Sequence, residues 1–147
     1  MTLKKNPEQI EAGRLVLRRI RLDDADPFYE FVSDDESAKY MFFEDEQRTK
    51  EGARGMVEWV ANAYDTDEPT CILTIADKKT GDYMGNLGAQ TMEGTTDTEF
   101  FYTLLPQYRG KGYVTEAVRT FLIFLFDGAS IRLLRLSCLT MKPLSVL

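Results

Sequence analysis

The 147-residue chain contains no histidine. This absence excludes histidine-based catalytic triads and histidine metal sites, and it removes the commonest general base of enzymes. Proton abstraction would therefore fall to a carboxylate, a tyrosine, a cysteine, or water held by one of them. Cysteine is scarce as well: Cys71 and Cys138 both lie in strand-like runs without metal-ligand spacing. This usage predicts two buried thiols in a reducing cytoplasm, with no structural disulfide and no bound metal.

Long apolar runs and a positive net charge are missing too. The longest unbroken apolar run, Phe121 to Phe126, is far too short to span a bilayer. Lys4 and Lys5 are followed by Asn-Pro-Glu instead of an apolar segment, which predicts no secretory signal. The formal net charge of −6 argues against a nucleic-acid partner and favours a cationic one. A hydrophobic content of 44% is ordinary, so we expect residues 1–147 to form a single domain with a real core.

The apolar pattern predicts an α+β fold, a mostly antiparallel sheet flanked by helices. Its order is β-α-α-β-β-β-α-β. The predicted elements are a strand over 14–21, a helix capped by Asp23 or Asp24, a helix over about 47–64, strands over 70–76, 83–92 and 98–105, a helix from about Val114 that ends at Gly128, and a strand over 131–139. Between the first two helices, residues 34–46 form an acidic stretch.

The stretch Gln107-Tyr108-Arg109-Gly110-Lys111-Gly112-Tyr113 lies between a strand and a helix. Its glycines allow a tight turn that leaves backbone N–H groups uncovered. The unpaired N–H groups of the following helix point the same way, with the helix dipole behind them. This combination predicts an anion site suited to a pyrophosphate. Arg109 and Lys111 would add positive charge at its rim.

Two familiar phosphate motifs do not match this loop. A Walker loop requires Ser or Thr after its lysine, but Gly112 follows Lys111. A dinucleotide fingerprint requires a third glycine three residues after Gly112, where Thr115 stands. An ordinary glycine turn that caps a helix stays open as an alternative.

The chain resembles the GNAT superfamily of acetyltransferases, and most closely its branch of ribosomal-protein N-terminal acetyltransferases and their small-molecule relatives. Gln107, Gly110 and Gly112 match that superfamily's pyrophosphate loop, Gln/Arg-x-x-Gly-x-Gly/Ala. The other matching segments are Arg14-Leu-Val-Leu-Arg18 with Asp23-Asp24-Ala25, Glu99-Phe-Phe-Tyr102-x-Leu104-x-Pro106, and Gly110-Lys-Gly-Tyr-Val-Thr-Glu116-Ala117. The likeness covers roughly residues 12 to 147.

The resemblance implies direct transfer of an acetyl group from acetyl-CoA to a primary amine in a ternary complex. Backbone N–H groups around Leu104 would bind the pantetheine arm and polarise the thioester. Glu99 is the first candidate for the general base and Glu116 the second, although Arg119 could pair with Glu116 on the helix. The implied cofactor-binding residues are Tyr102, Leu104, Gln107, Tyr108, Arg109, Gly110, Lys111, Gly112, Tyr113 and Val114.

The sequence is compatible with several acceptors and with either an active or an inactive domain. A small-molecule amine and a protein N-terminus are both possible acceptors, and the acidic stretch over 34–46 favours a cationic one. An inactive acyl-CoA-binding or regulatory domain is the alternative to an enzyme. The family continues with Asn-x-x-Ser and a final hairpin, whereas Lys142-Pro-Leu-Ser145 holds that place here. We therefore expect the final hairpin to be missing and the strand over 131–139 to be an edge that dimerises or aggregates.

Overall fold

In the part of the chain that the structure describes, five antiparallel strands form one sheet, ordered as they follow one another in the chain. The structure is a computed structural model, and it describes residues 8–39, 41, 43–66, 71–91 and 98–126. The strands are β1 (Gln9–Ala12), β2 (Leu15–Arg18), β3 (Cys71–Asp77), β4 (Tyr83–Thr91) and β5 (Thr98–Leu104). The predicted α+β class is confirmed.

Four helices accompany the sheet in the described part of the chain: α1 (Ala25–Ser33), α2 (Asp35–Ala38), α3 (Lys50–Ala63) and α4 (Tyr113–Phe126). Three short 3-10 turns, Leu22–Asp24, Asp45–Arg48 and Pro106–Tyr108, connect them to their neighbours. None of the helices in the described ranges is long and apolar enough to cross a membrane.

Two apolar clusters hold the helices against opposite faces of the sheet. On one face, Phe121 and Ala117 of α4 are fully buried against Leu17, Leu73 and Leu87. On the other face, the buried sides of α1 and α3 pack together, with Phe28, Val32, Val57 and Val60 among their members. The apolar side of the helix after the glycine loop therefore faces the sheet, where its burial stabilises the packing.

The predicted start of the fold was wrong in two respects. The strand expected over 14–21 is shorter, and β1 precedes it as the first arm of a hairpin with its turn at Gly13. Asp24 stands at the start of α1, but its side chain caps the preceding 3-10 turn by accepting from Arg21 N–H. Both carboxylate oxygens of Asp24 also accept hydrogen bonds from the Arg18 guanidinium, at 2.8 and 2.9 Å. A buried carboxylate requires such a partner, which outweighs the helix cap.

The second predicted helix begins later than expected. It starts at Lys50 because Thr49 accepts a hydrogen bond from Gly52 N–H as its N-cap. The predicted helix end at Gly128, the strand over 131–139, its edge and the segment Lys142 to Ser145 lie outside the described residues.

Candidate active site

The glycine loop joins β5 to α4 through a 3-10 turn and two left-handed residues. Tyr108 N–H donates to the Leu105 carbonyl at 3.0 Å, which closes the turn. Gly110 and Gly112 then adopt φ angles of +76° and +81°, a region that costs an L-residue about 1–2 kcal/mol. A Cβ atom at Gly110 would meet nothing within 4 Å. The backbone at Gly110 is therefore open to an approaching group.

Helix α4 presents its first N–H groups directly after this loop. Its first intrahelical hydrogen bond runs from Glu116 N–H to the Gly112 carbonyl, at 3.2 Å. The N–H groups of the three residues before Glu116 precede this bond, so no carbonyl of the helix can accept from them. Together with the helix dipole, these donors favour an anion, above all a phosphate.

The end of β5 presents polar backbone groups on the side that faces away from β4. Leu105 N–H donates to the Met84 carbonyl of β4 at 2.9 Å. Because the described peptide bonds are all trans, the Leu104 carbonyl in the same peptide unit points the opposite way. In a strand, the N–H of a residue points to the same side as its carbonyl, so the Leu104 N–H also points away from β4. In antiparallel pairing this orientation recurs at every second residue and therefore at Tyr102. The predicted thioester donor at Leu104 is therefore directed away from the sheet partner.

Arg109 is directed towards the strand end and α2, although the sequence suggested the rim of the loop. Its Nε donates to the Leu104 carbonyl at 3.0 Å and its Nη2 donates to Ser37 Oγ at 2.9 Å. Ser37 is buried, and its hydroxyl donates to Asp34 Oδ2 at 2.5 Å. This hydrogen bond is the main cause that lowers the pKa of Asp34, and the charge of Arg109 adds to the effect.

Glu116 binds the β1–β2 turn. Its Oε1 accepts from the backbone N–H of Arg14 at 2.7 Å, and its Oε2 accepts from Arg14 Nε at 2.9 Å. A Cβ atom at Gly13 would lie 2.2 Å from Glu116 Oε1, so the carboxylate fits closely against the turn. The partner in the structure is thus Arg14 and not the expected Arg119. The fold brings Arg14 to this carboxylate from 102 positions away in the sequence.

Arg14 also contacts the glycine loop, and sequence reasoning did not single it out. Its Nη2 donates to the Lys111 carbonyl at 3.1 Å, and its guanidinium carbon lies 4.3 Å from the centre of the Tyr113 ring. The Tyr113 ring in turn makes an edge contact with Tyr108, with centroids 6.3 Å apart. These contacts fix the side of the loop that faces β1 and β2.

The tyrosines near the strand end stay protonated at neutral pH. Burial raises the pKa of Tyr102 to about 12. Burial also raises the pKa of Tyr108, with smaller contributions from the charges of Asp82 and Asp77. Tyr102 is half-buried and packs against the α4 side of the core. Both phenols can donate a hydrogen bond, but neither is a base at neutral pH.

The remaining predicted residues occupy several positions around the loop. Gln107 and Lys111 are exposed, and Val114 is half-buried against the core. Glu99 lies on β5 opposite Gln90, five positions before Leu104. The structure thus brings the loop residues and the end of β5 together.

Residues 14–143 match the family profile described as the acetyltransferase (GNAT) domain. The chain is 27% identical over 125 residues to an N-acetyltransferase p20 of Bacillus licheniformis, an alignment that covers 84% of this chain and 69% of that protein.

Two solved structures have a similar fold. A ribosomal-protein alanine acetyltransferase from Vibrio fischeri gives a TM-score of 0.63 at 17% identity, covering 82% of this chain and 68% of that one. A microcin self-immunity acetyltransferase, solved in complex with acetyl-CoA and AMP, gives a TM-score of 0.64 at 17% identity, covering 84% and 69%. At these identities, the likeness establishes the fold alone.

Proposed function

Because the chain belongs to the acetyltransferase (GNAT) domain family, we propose that it transfers an acetyl group from acetyl-CoA to a primary amine. In the proposed reaction, the amine attacks the thioester carbonyl while both substrates are bound. A C–N bond forms as the amine loses a proton to a base, and the C–S bond breaks to release CoA as a thiolate, which takes up a proton to become the free thiol.

The junction of β5 and α4 is the observation that carries this proposal. The left-handed glycines and the start of α4 supply backbone donors, and the loop that carries them contacts the polar edge of Leu104 through Arg109. In our assignment, the residues of 107–114 other than Arg109 hold the pyrophosphate, and N–H groups at Tyr102 and Leu104 bind the pantetheine arm and the thioester carbonyl. A carbonyl held by such donors is more easily attacked, because they stabilise the charge that develops on its oxygen.

In our assignment, Glu99 is the base and acts through water. With a rise of about 3.4 Å per residue, the Cα of Glu99 lies roughly 17 Å from that of Leu104 and roughly 10 Å from that of Tyr102. We assign to Glu99 a water that bridges this distance to a thioester carbonyl bound at the Tyr102 N–H. Glu116 is the weaker candidate, because both of its carboxylate oxygens accept hydrogen bonds from Arg14.

The acceptor in this proposal is a cationic amine, and the acidic stretch over 34–46 supplies the charge. Part of that charge is already engaged: Asp34 caps α2, and Asp35 pairs with Arg48 at 2.5 Å. Glu36 is exposed in the first turn of α2. We assign it as the carboxylate that attracts the amine, since an exposed negative charge raises the local concentration of a cation.

A thiol-release assay with acetyl-CoA and a panel of amines tests the proposal. The panel should contain polyamines, aminoglycosides, amino acids and peptides with free N-termini. We expect release of free thiol with at least one amine. Binding of acetyl-CoA without acetylation of any amine would instead support an acyl-CoA-binding module.

Variants in the same assay assign the base. Glu99→Gln should lower kcat by about 100-fold or more without weakening acetyl-CoA binding. Glu116→Gln and Arg14→Met should resemble each other, and the double variant should be no worse than either, because the two residues form one unit. A loss in Glu116→Gln that Arg14→Met does not share would identify Glu116 as the base.

A further inference from the structure

We propose that Arg109 is a positioning residue: it fixes the acceptor-side segment, residues 34–39, to the end of β5. This inference rests on the proposed function, and it separates Arg109 from the phosphate-binding groups of its own loop. The segment contains α2 and its N-cap, and the fixed point is the Leu104 carbonyl.

Three consecutive hydrogen bonds join the two parts. Arg109 donates to the Leu104 carbonyl with Nε and to Ser37 Oγ with Nη2, at 3.0 and 2.9 Å. The Ser37 hydroxyl accepts from Arg109 and donates its own proton to Asp34 Oδ2. Asp34 Oδ2 also accepts from Ser37 N–H at 3.1 Å, which closes the first turn of α2. The Ser37 hydroxyl thus lies between the positive charge of Arg109 and the negative charge of Asp34. These charges strengthen both of its hydrogen bonds.

The contact between Arg109 and Ser37 is partly buried, which raises the free-energy cost of losing it. Ser37 is 8% exposed and Arg109 is half-buried, so a lost partner would leave a polar group with reduced access to water. The rigid guanidinium fork presents Nε and Nη2 to two acceptors at a fixed spacing. An ammonium group on a flexible stem cannot reproduce this pair of directions.

The consequence concerns the relative placement of the two substrates. In the proposed site, the polar edge of Leu104 faces the cofactor's pantetheine arm, whereas residues 34–39 lie on the acceptor side. Arg109 connects the two across 72 sequence positions. Its loss should therefore impair use of the amine, while the backbone donors of residues 110–114 continue to hold the phosphates.

Arg109→Lys and Lys111→Met should give opposite results. Lys111 lies in the same loop but is exposed. We expect Arg109→Lys to raise the KM for the amine about 10-fold and to change the Kd for acetyl-CoA less than 3-fold. Lys111→Met should weaken acetyl-CoA and leave the KM for the amine unchanged. A Kd for acetyl-CoA raised 10-fold or more in Arg109→Lys, with an unchanged KM for the amine, would overturn the proposal.

The serine offers a matched pair of variants. Ser37→Ala removes the acceptor of Arg109, whereas Ser33→Ala removes an exposed hydroxyl that donates only to the Glu30 carbonyl. Ser37→Ala should reproduce the kinetic effect of Arg109→Lys, the double variant should add little to either, and Ser33→Ala should resemble the wild type. Additive effects of Ser37→Ala and Arg109→Lys would contradict a shared contact.

Amide hydrogen exchange without any ligand tests the contact independently of turnover. Arg109→Lys and Ser37→Ala should speed exchange over residues 34–39 at least 5-fold and leave α4 unchanged, since local opening follows lost contacts. Unchanged exchange over 34–39 would overturn the proposal. A wild-type protein that binds no acetyl-CoA would refute the proposed function, and the exchange experiment would still decide the role of Arg109.

Discussion

A carboxylate placed at Gly110 should abolish the stabilisation of the fold by acetyl-CoA. Gly110 and Gly81 form a matched pair, because their φ angles are +76° and +80° and a Cβ atom at either would meet nothing within 4 Å. Gly110→Asp places its charge in the loop, and Gly81→Asp places the same charge in the β3–β4 turn. Gly112 is less suitable, since a Cβ there would lie 3.5 Å from Arg14 Nη2 and an aspartate could pair with that guanidinium.

The expected size of the effect follows from mass action and electrostatics. Acetyl-CoA at 100 times its Kd should stabilise the wild-type native state by about 2.7 kcal/mol. This corresponds to a rise in Tm of roughly 5–11 °C for a domain of this size. A carboxylate about 5 Å from a phosphate charge, at an effective dielectric constant of about 20, opposes binding by about 3 kcal/mol. That energy raises Kd more than 100-fold, so the stabilisation at the same concentration falls to about 0.4 kcal/mol.

Thermal unfolding with and without acetyl-CoA measures these shifts. Both variants should lose about 1 kcal/mol without ligand, because an L-residue at positive φ is strained. Gly81→Asp should keep most of the rise in Tm with acetyl-CoA, because the charges of Asp77 and Asp82 at the ends of its turn have only a secondary effect on Tyr108 of the loop, and Gly110→Asp should show a rise of about 1 °C. An equal rise in the two variants would refute the assignment of the pyrophosphate site to this loop.

Three further predictions concern the buried ion pair, the buried thiol and the acceptor side. Asp24→Asn leaves the buried Arg18 without its counter-charge and should lower the free energy of unfolding by about 3–5 kcal/mol in urea titrations; a loss below 1 kcal/mol would contradict a tightly enclosed pair. Burial raises the pKa of Cys71 from 9.0 to about 12. In a Cys138→Ser variant at pH 8, the Cys71 thiol should therefore react with a maleimide about 1,000-fold more slowly in the native protein than in urea. Equal rates would show that the thiol is accessible. Glu36→Gln should raise the KM for the best amine several-fold at low salt and little at high salt; a KM that stays unchanged at low salt would show that Glu36 does not attract the acceptor.

Local patterns in the sequence were sufficient to predict the parts of the fold that depend on neighbouring residues. The spacing of Val114, Ala117 and Phe121 defines one side of a helix, and the structure buries that side against the sheet. The glycines at 110 and 112 predicted a tight turn, and both adopt positive φ. Periodicity and turn chemistry act over a few residues, so one sequence reveals them.

Strand β1 and the charge partners were not predictable in the same way. The strand Gln9–Ala12 is short, and only one of its four residues is buried, so it lacks a clear apolar alternation. Asp24 looked like the cap of a helix and Glu116 like a partner of Arg119, yet Asp24 binds Arg18 and Glu116 binds Arg14. The choice among many possible partners depends on the tertiary fold. One signal was available and unused: Asp34-x-x-Ser37 has the spacing of an N-cap, which the structure contains.

Two arginines act on the segment between Leu104 and Lys111 from opposite ends. Arg109 donates to the Leu104 carbonyl, and Arg14 donates to the Lys111 carbonyl. A carbonyl oxygen that faced a phosphate would repel it, whereas the N–H groups at the start of α4 attract it. Each guanidinium therefore holds a carbonyl in place and partly neutralises its charge, while the helix donors remain directed at the loop. The proposed anion site therefore depends on which backbone groups are turned away as much as on which are presented, and one local and one long-range contact hold two of these carbonyls.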